Sequence, residues 1–354
     1  MSRSVPDILV IGVGGAGIAT INALAQMGMS RQQLVAVDFD STELAEAIAE
    51  HRLQLRDSTH DRPQSRADAA RHAAMVIDRP FSDLVRQTEI VLIVFNLSGD
   101  AGSGAAPVLA ASAVKAGATV VSVVAVREPK ESQASLDPAL STIQATSHTV
   151  VPVKIEGNDV RSLHKAALGV VSAVRAVADS REGTSYRQQY ATDLVMYLSN
   201  ARRASFVEAQ AKGVRHASKA VSRLLSALSP GELDDVASFI LVVRAGADET
   251  EADFDEFFAA VAQRLPLAQG AFGAAYDPTC EYGVYLYLLF TTHRQHERYS
   301  PRHFVVWNPT IVSSRDYAAL VTALGDIARA EGGLGVRRID GQHVHIGVRE
   351  LVPM

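Results

Sequence analysis

The stretch Ile8-Leu-Val-Ile-Gly-Val-Gly-Gly-Ala-Gly17 decides the fold class of the first half of the chain. Its apolar, β-branched beginning predicts a buried strand over Ile8 to Ile11, and its glycines predict a loop over Gly12 to Gly17. Apolar residues at helical spacing then predict a helix from Ile18 to Met27. Such a loop suits phosphate, because the helix N-terminus offers free N–H groups and a partial positive charge.

Strands and helices alternate through the rest of the first half. The predicted strands are Leu34 to Val37, Ile90 to Phe95, Thr119 to Val126 and Val150 to Ile155. The predicted helices are Thr42 to Ala49, Ala67 to Ile77, Ala106 to Ala116 and the long Val160 to Ser180. This order predicts an α/β, Rossmann-like domain whose parallel sheet is covered by helices on both faces.

The second half mixes strands and helices in a different way. Strands over Phe239 to Val243 and Tyr282 to Thr291 flank a helix over Glu251 to Leu265. The final stretch predicts a strand (Phe304 to Trp307), a helix (Asp316 to Arg329) and two strands near Val336 and Val344. We therefore expect three regions: residues 1–180 with the central helix at 160–180, a smaller α+β domain over 181–293, and a folded extension over 294–354.

Composition excludes several classes of function. The 354 residues carry a net charge of -5, with 21% charged and 47% apolar residues, so nothing indicates binding to nucleic acid. Apolar runs are of strand length, and the single Cys280 cannot form an intramolecular disulfide. We expect a cytoplasmic protein. Two pairs of histidines, His343 with His345 and His293 with His296, offer two ligands each, which is too few to predict a metal site.

A second glycine loop, Ser98-Gly-Asp-Ala-Gly-Ser-Gly104, follows the strand Ile90 to Phe95. Two such loops at neighbouring strand ends suit a mononucleotide triphosphate held from both sides. The alternative is a turn that is rich in glycine for packing reasons alone.

The first loop taken alone leaves other ligands open. It also matches the dinucleotide fingerprint, because Asp38 lies 21 residues after Gly17, where a carboxylate would bind a ribose. An NAD(P)-binding Rossmann oxidoreductase is therefore the alternative function, although the second glycine loop and the lack of an obvious catalytic His–acid or Tyr–Lys pair count against it. An ATP-binding activating protein shares the Gly-x-Gly-Gly-x-Gly loop and has little other support.

Four segments resemble the FtsZ/tubulin superfamily in their order and spacing, and FtsZ more closely. They are the Gly12 loop, Ala36-Val-Asp-Phe-Asp-Ser-Thr-Glu-Leu44, Gly102-Ser-Gly-Ala-Ala-Pro-Val108 and Asn158-Asp159. On this resemblance the chain looks like a divergent bacterial FtsZ-like protein. It implies a GTPase-like domain, a long central helix, an activation-type domain and a head-to-tail homopolymer. It further implies a cytoskeletal role in cell division or membrane remodelling, with a membrane-associated protein as a further expected partner.

The resemblance also implies site residues. Phosphate contacts would come from Gly14, Gly15, Ala16, Gly99, Gly102, Ser103 and Gly104, and ribose or base contacts from Asp38, Asp40 and Asn158. The implied cofactor is GTP or GDP, with Mg²⁺ as the cation that would bridge the phosphates and a carboxylate. Asp193 matches one of two carboxylates that the family supplies in trans for hydrolysis, and the alternative is that Asp193 is the N-cap of the helix that begins near it.

Several positions depart from the family pattern. Asp100 replaces a glycine and puts a carboxylate among groups that should face phosphate; the alternative is that Asp100 caps the helix that follows. No glycine occurs between Asp57 and Asp68, Ala167 and Leu168 stand where a base-reading side chain is expected, and Tyr190 replaces a catalytic acid. We therefore expect nucleotide binding to be weakened or lost, and a residual GTPase at most.

Overall fold

The computed structural model describes residues 7–56, 65–127, 137–156, 159–179, 194–212, 216–246, 251–276, 280, 283–293, 334–339 and 342–347. The chain divides into two compact units, Met1–His296 and Glu297–Met354. The first unit holds both the predicted Rossmann-like region and the predicted α+β region, and the boundary between them near residue 180 stays a prediction. None of the helices in the described ranges is long and apolar enough to cross a membrane.

A parallel seven-stranded sheet forms the first part of this unit. Its strands are β1 (Ile8–Val13), β2 (Leu34–Asp38), β3 (His51–Gln54), β4 (Ile90–Asn96), β5 (Thr119–Arg127), β6 (Thr149–Ile155) and β7 (Arg202–Arg203). The strand order is β3-β2-β1-β4-β5-β6-β7, and every neighbouring pair is parallel. The chain moves outward from β1 in one direction and from β4 in the other, so the order reverses between these two strands. The predicted α/β fold is confirmed.

Helices cover both faces of this sheet. They are α1 (Gly14–Gln26), α2 (Ser41–Glu46), α3 (Arg66–Val76), α4 (Asp78–Val85), α5 (Asp100–Lys115), α6 (Asp137–Thr146), α7 (Arg161–Asp179) and α8 (194–200). Ile8 and Val10 pack with α1 and α7 on one face, whereas Leu9 and Ile11 pack with α3 to α6 on the other. This alternation makes β1 buried on both faces, as expected of a central parallel strand.

The second part of the unit is a four-stranded sheet. Its strands are β8 (Ser205–Lys212), β9 (Val236–Ala245), β10 (Gln269–Tyr276) and β11 (Gly283–Thr292), in the order β10-β9-β11-β8. Its helices are α9 (His216–Ser226), α10 (Pro230–Leu233) and α11 (Glu251–Arg264). Helix α7 lies between the two sheets, because its apolar residues share one core with Ile240, Tyr287 and Leu289.

Two helices begin earlier than the sequence pattern predicts. Helix α1 begins at Gly14 instead of Ile18, and α5 begins at Asp100 instead of Ala106. The glycines of both predicted loops therefore lie largely within first helical turns. Glycine has a poor intrinsic helix propensity, so the pattern favoured loops, but close packing of these turns on their neighbours overrides that propensity.

The second unit is described only over a β-hairpin. Strands β12 (Leu334–Ile339) and β13 (Gln342–Gly347) pair antiparallel, with Val336 opposite His345. The strands predicted near Val336 and Val344 are thereby confirmed. The predicted strand over 304–307 and helix over 316–329 lie outside the described residues.

His148 makes the stability of the first unit depend on pH. Its Nδ1 accepts a hydrogen bond from the backbone N–H of Val120 at 3.0 Å, so this nitrogen carries no proton. Burial, and then the charge of Arg202, lower the pKa of His148 below its ordinary 6.5. Near and below pH 6.5, His148 binds a proton more readily in the unfolded chain than in the folded chain. Lowering the pH therefore favours unfolding.

We expect the free energy of unfolding to fall between pH 7.5 and 5.5. His148→Asn keeps an acceptor for Val120 and removes the titrating ring, so its loss of stability over this interval should be smaller than that of the wild type. Burial also lowers the pKa of His164, which leaves part of the slope in place. Urea titrations of both proteins at the two pH values measure the difference, and equal slopes would contradict this role of His148.

Candidate functional site

A cavity of about 450 Å³ opens at the carboxyl ends of β1 and β4. It is lined by Val13, Gly14, Gly15, Ala16, Asp38, Phe39, Asp40, Arg66, Asn96, Gly99, Asp100, Ala101 and Gly102. The strand order reverses between these two strands, and ligands of open α/β sheets bind in the crevice at such a point. The cavity therefore lies where the topology favours a ligand.

The first turn of α1 forms one wall of this cavity. Gly14 has φ +74, a conformation that side chains rarely adopt. A Cβ on Gly12 would lie 2.5 Å from the carbonyl oxygen of Gly17, and a Cβ on Gly17 would clash with the carbonyl oxygen of Val94. These glycines thus bring the start of α1 tightly against β1 and β4, with the N–H groups of its first turn at the cavity.

The first turn of α5 forms the facing wall. Gly99 is its N-cap, and the Ser103 hydroxyl donates to the carbonyl oxygen of Gly99 at 2.9 Å. A Cβ on Gly102 would clash with the carbonyl oxygen of Asn96. Gly104 is buried and is not among the residues that line the cavity, and a Cβ there would clash with the carbonyl oxygen of Ala67 in α3. Packing therefore explains Gly104, while Gly99 and Gly102 line the cavity.

Asp38 and Asp40 form a third wall at the end of β2. The buried Asp38 carboxylate accepts hydrogen bonds from the N–H groups of Phe39 at 2.6 Å and Asp40 at 3.2 Å. Asp40 is the N-cap of α2, and its carboxylate accepts from the N–H of Thr42 at 2.8 Å. In each carboxylate one oxygen makes these local bonds, so the other can meet a ligand hydroxyl or cation.

Sequence reasoning missed two charged side chains beside the cavity. Arg66, the first residue of α3, lines the cavity and forms an ion pair with Asp100, with Nε 3.6 Å from Oδ2. Glu43 lies beside the start of α1, since a Cβ on Gly15 would be 3.7 Å from its Oε1. Only the docking of α3 and α2 brings these residues to the site, so no local pattern could have found them.

Other expected site residues lie elsewhere. Asn158, Tyr190 and Asp193 are outside the described residues, so their roles stay predictions. Ala167 and Leu168 are buried in the core of the first sheet. One turn before Leu168, the Nε2 of His164 is buried and has no hydrogen-bond partner among the described residues.

Asp159, which follows the predicted base contact Asn158, is hydrogen-bonded to the first residue of α7. Its carboxylate accepts hydrogen bonds from the side chain and the backbone N–H of Arg161, at the start of α7. These bonds hold the pKa of Asp159 at about 2. The carboxylate is therefore ionised at neutral pH and caps α7.

The cavity offers groups that can bind an anion. Two helix N-termini face it, and each contributes free N–H groups and a partial positive charge. Among the described lining residues, Asp38, Asp40 and Asp100 are acidic and Arg66 is the basic one. Within the described ranges, no group of three metal-binding side chains occurs. The geometry fits phosphate oxygens at the helix ends, with the carboxylates set around them.

Comparisons with known proteins support this reading of the fold. Residues 7–154 match the family described as Tubulin/FtsZ family, GTPase domain. The cell division protein FtsZ 1 of Pyrococcus furiosus is 33% identical over 123 residues, and this alignment spans about a third of each protein, 33% of this chain and 32% of the relative. The cell division protein FtsZ 1 of Methanocaldococcus jannaschii is 25% identical over 310 residues, 82% of this chain and 84% of the relative.

Solved structures agree on the fold. The empty FtsZ dimer of M. jannaschii superposes with a TM-score of 0.69 at 22% identity, over 88% of this chain and 96% of that one. The CetZ2 protofilament of Haloferax volcanii bound to GTPγS gives 0.59 at 16% identity, over 92% and 100%.

The fold and the cavity define an α/β protein of the FtsZ/tubulin architecture. The family match covers residues 7–154, and the solved structures show that the similarity of fold extends over most of the chain. The relatives reported above are archaeal, so the expectation of a bacterial FtsZ-like protein was wrong.

Proposed function

We propose that the chain is an FtsZ-like cytoskeletal protein that binds GTP or GDP in the cavity and assembles into head-to-tail filaments. One observation carries the proposal: the N-termini of α1 and α5 face a single cavity at the point where the strand order reverses. Neither helix end alone specifies more than an anion. Two of them on opposite sides of one cavity suit the chain of phosphates in a mononucleotide.

The charges around the cavity support weak binding. Among the lining residues that the structure describes, three carboxylates stand against one guanidinium. Two unit charges about 4 Å apart interact by about 4 kcal/mol at an effective dielectric of 20, so each unpaired carboxylate near a phosphate opposes binding. Arg66 offsets Asp100, and local N–H groups satisfy part of Asp38 and Asp40. We infer that GTP binds, but less tightly than in a site without these carboxylates.

Slow hydrolysis is the second part of the proposal. In the resemblance, Asp193 of one subunit would assist water attack in the next, and Tyr190 stands in place of the other acid. Loss of general-base assistance costs roughly 10²–10⁴ in rate, so turnover should be low. The membrane-associated partner stays a prediction without support in the comparisons.

Filament formation tests the proposal directly. We expect the purified chain to form filaments in negative-stain images when GTP is present at millimolar concentration, and to sediment with them. GDP and nucleotide-free samples serve as controls. Asp193→Ala should leave GTP binding unchanged and abolish the residual turnover in filaments. No filaments under any nucleotide condition would rule out the cytoskeletal role.

A further inference from the structure

The ion pair between Arg66 and Asp100 lies at the exposed edge of the cavity. The two side chains are 79% and 55% exposed, and their closest charged atoms are 3.6 Å apart. At that distance and exposure the pair contributes little to stability, since surface ion pairs are held weakly. Either side chain can therefore change partner at small cost.

Arg66 is placed to change partner when an anion enters. It is the basic residue among the described lining residues, and it stands at the start of α3, across from the first turn of α5. A guanidinium binds phosphate with two parallel N–H···O bonds, which are shorter and stronger than a single 3.6 Å contact with a carboxylate. A phosphate at the N-terminus of α5 would thus compete with Asp100 for Arg66.

We propose that Arg66 binds the terminal phosphate of the nucleotide and so makes the cavity favour a triphosphate over a diphosphate. Without nucleotide, Asp100 holds Arg66 beside the cavity. With a triphosphate, Arg66 leaves Asp100 and pairs with the added negative charge. A diphosphate lacks that group and leaves Arg66 with Asp100. This proposal rests on the proposed nucleotide binding and adds the residue that distinguishes the two nucleotides.

The test compares GTP and GDP affinities by calorimetric titration of the full chain and its variants. Arg66→Ala should weaken GTP binding about 10- to 30-fold and GDP binding by less than about threefold. Arg66→Lys keeps the charge without the two-pronged geometry and should fall between the two. Asp100→Asn removes the competing carboxylate and should tighten GTP binding about threefold.

Arg71→Ala is the matched control. Arg71 lies on the same helix and also pairs with an aspartate, Asp68, at 2.8 Å, but it does not line the cavity. It removes the same charge, so it measures the general electrostatic effect, which should be under about twofold for both nucleotides. Equal effects of Arg66→Ala and Arg71→Ala, or equal losses of GTP and GDP in Arg66→Ala, would overturn the inference and leave nucleotide binding intact. A wild-type chain that binds neither nucleotide would overturn both.

Discussion

Gly104→Ala is expected to lower the free energy of unfolding by about 3 kcal/mol. The added Cβ would clash with the carbonyl oxygen of Ala67 and lie 2.8 Å from the Cβ of Ala70. Both atoms belong to α3, and one of them is backbone, so no side-chain rotation can relieve the overlap. Alanine has a higher helix propensity than glycine, by about 1 kcal/mol, so without the clash this substitution would stabilise the protein. Urea titration followed by circular dichroism measures the change.

Gly99→Ala is the matched control in the same segment. A Cβ there would lie 3.4 Å from the carbonyl oxygen of Asn96, and the backbone φ of -88 suits any residue. Loss of a glycine N-cap should cost about 1 kcal/mol or less. If Gly104→Ala were as stable as the wild type, close packing of α5 on α3 would not explain this glycine.

Gly15→Glu is expected to weaken nucleotide binding about 100-fold relative to Gly15→Gln. Gly15 lies in the first turn of α1, has no positive φ, and is next to the carboxylate of Glu43. Repulsion from Glu43 would direct the new carboxylate toward the cavity. A carboxylate about 4 Å from a phosphate is repelled by about 4 kcal/mol at an effective dielectric of 20. Solvent weakens this repulsion at the exposed Gly15 position, so we expect an affinity loss of about 100-fold.

The glutamine variant controls for size, because the two side chains differ in charge and not in volume. Both variants should stay folded, because a Cβ at Gly15 meets its neighbours only at 3.7 Å or more and a helix favours glutamate and glutamine over glycine. Thermal unfolding checks that both are folded before GTP is titrated. Equal affinities in the two variants would mean that phosphates do not lie at the start of α1.

The sequence pattern located the buried strands well. Strands β1, β4 and β5 are continuous apolar runs between turn residues, and parallel strands covered on both faces have this composition. It missed the four edge strands of the two larger sheets, β3, β7, β8 and β10, whose sequences are short, polar, mixed or interrupted by glycine. Which residues of an edge strand are apolar depends on the elements that pack against it, and the sequence of the strand alone does not show these neighbours.

The candidate site was predictable only in part. The glycines and Asp38 were predicted at the carboxyl ends of strands. These ends lie at the same edge of a parallel sheet, so the sequence pattern was enough to place these residues together. Arg66 reaches the cavity because α3 docks on α5 at Gly104, a contact between residues distant in sequence. Its pairing with Asp100 also changes the expected effect of that carboxylate, for which the resemblance offered Mg²⁺ as the opposing charge.

Calorimetric titration of the purified, nucleotide-stripped chain with GTP, GDP and NAD tests whether the cavity binds a guanine nucleotide. We expect GTP and GDP to bind with a stoichiometry of one and to compete with each other, and Gly15→Glu to weaken the binding of both, while NAD shows no binding. Tight binding of NAD with no response to GTP would contradict this expectation and would favour the dinucleotide-binding alternative.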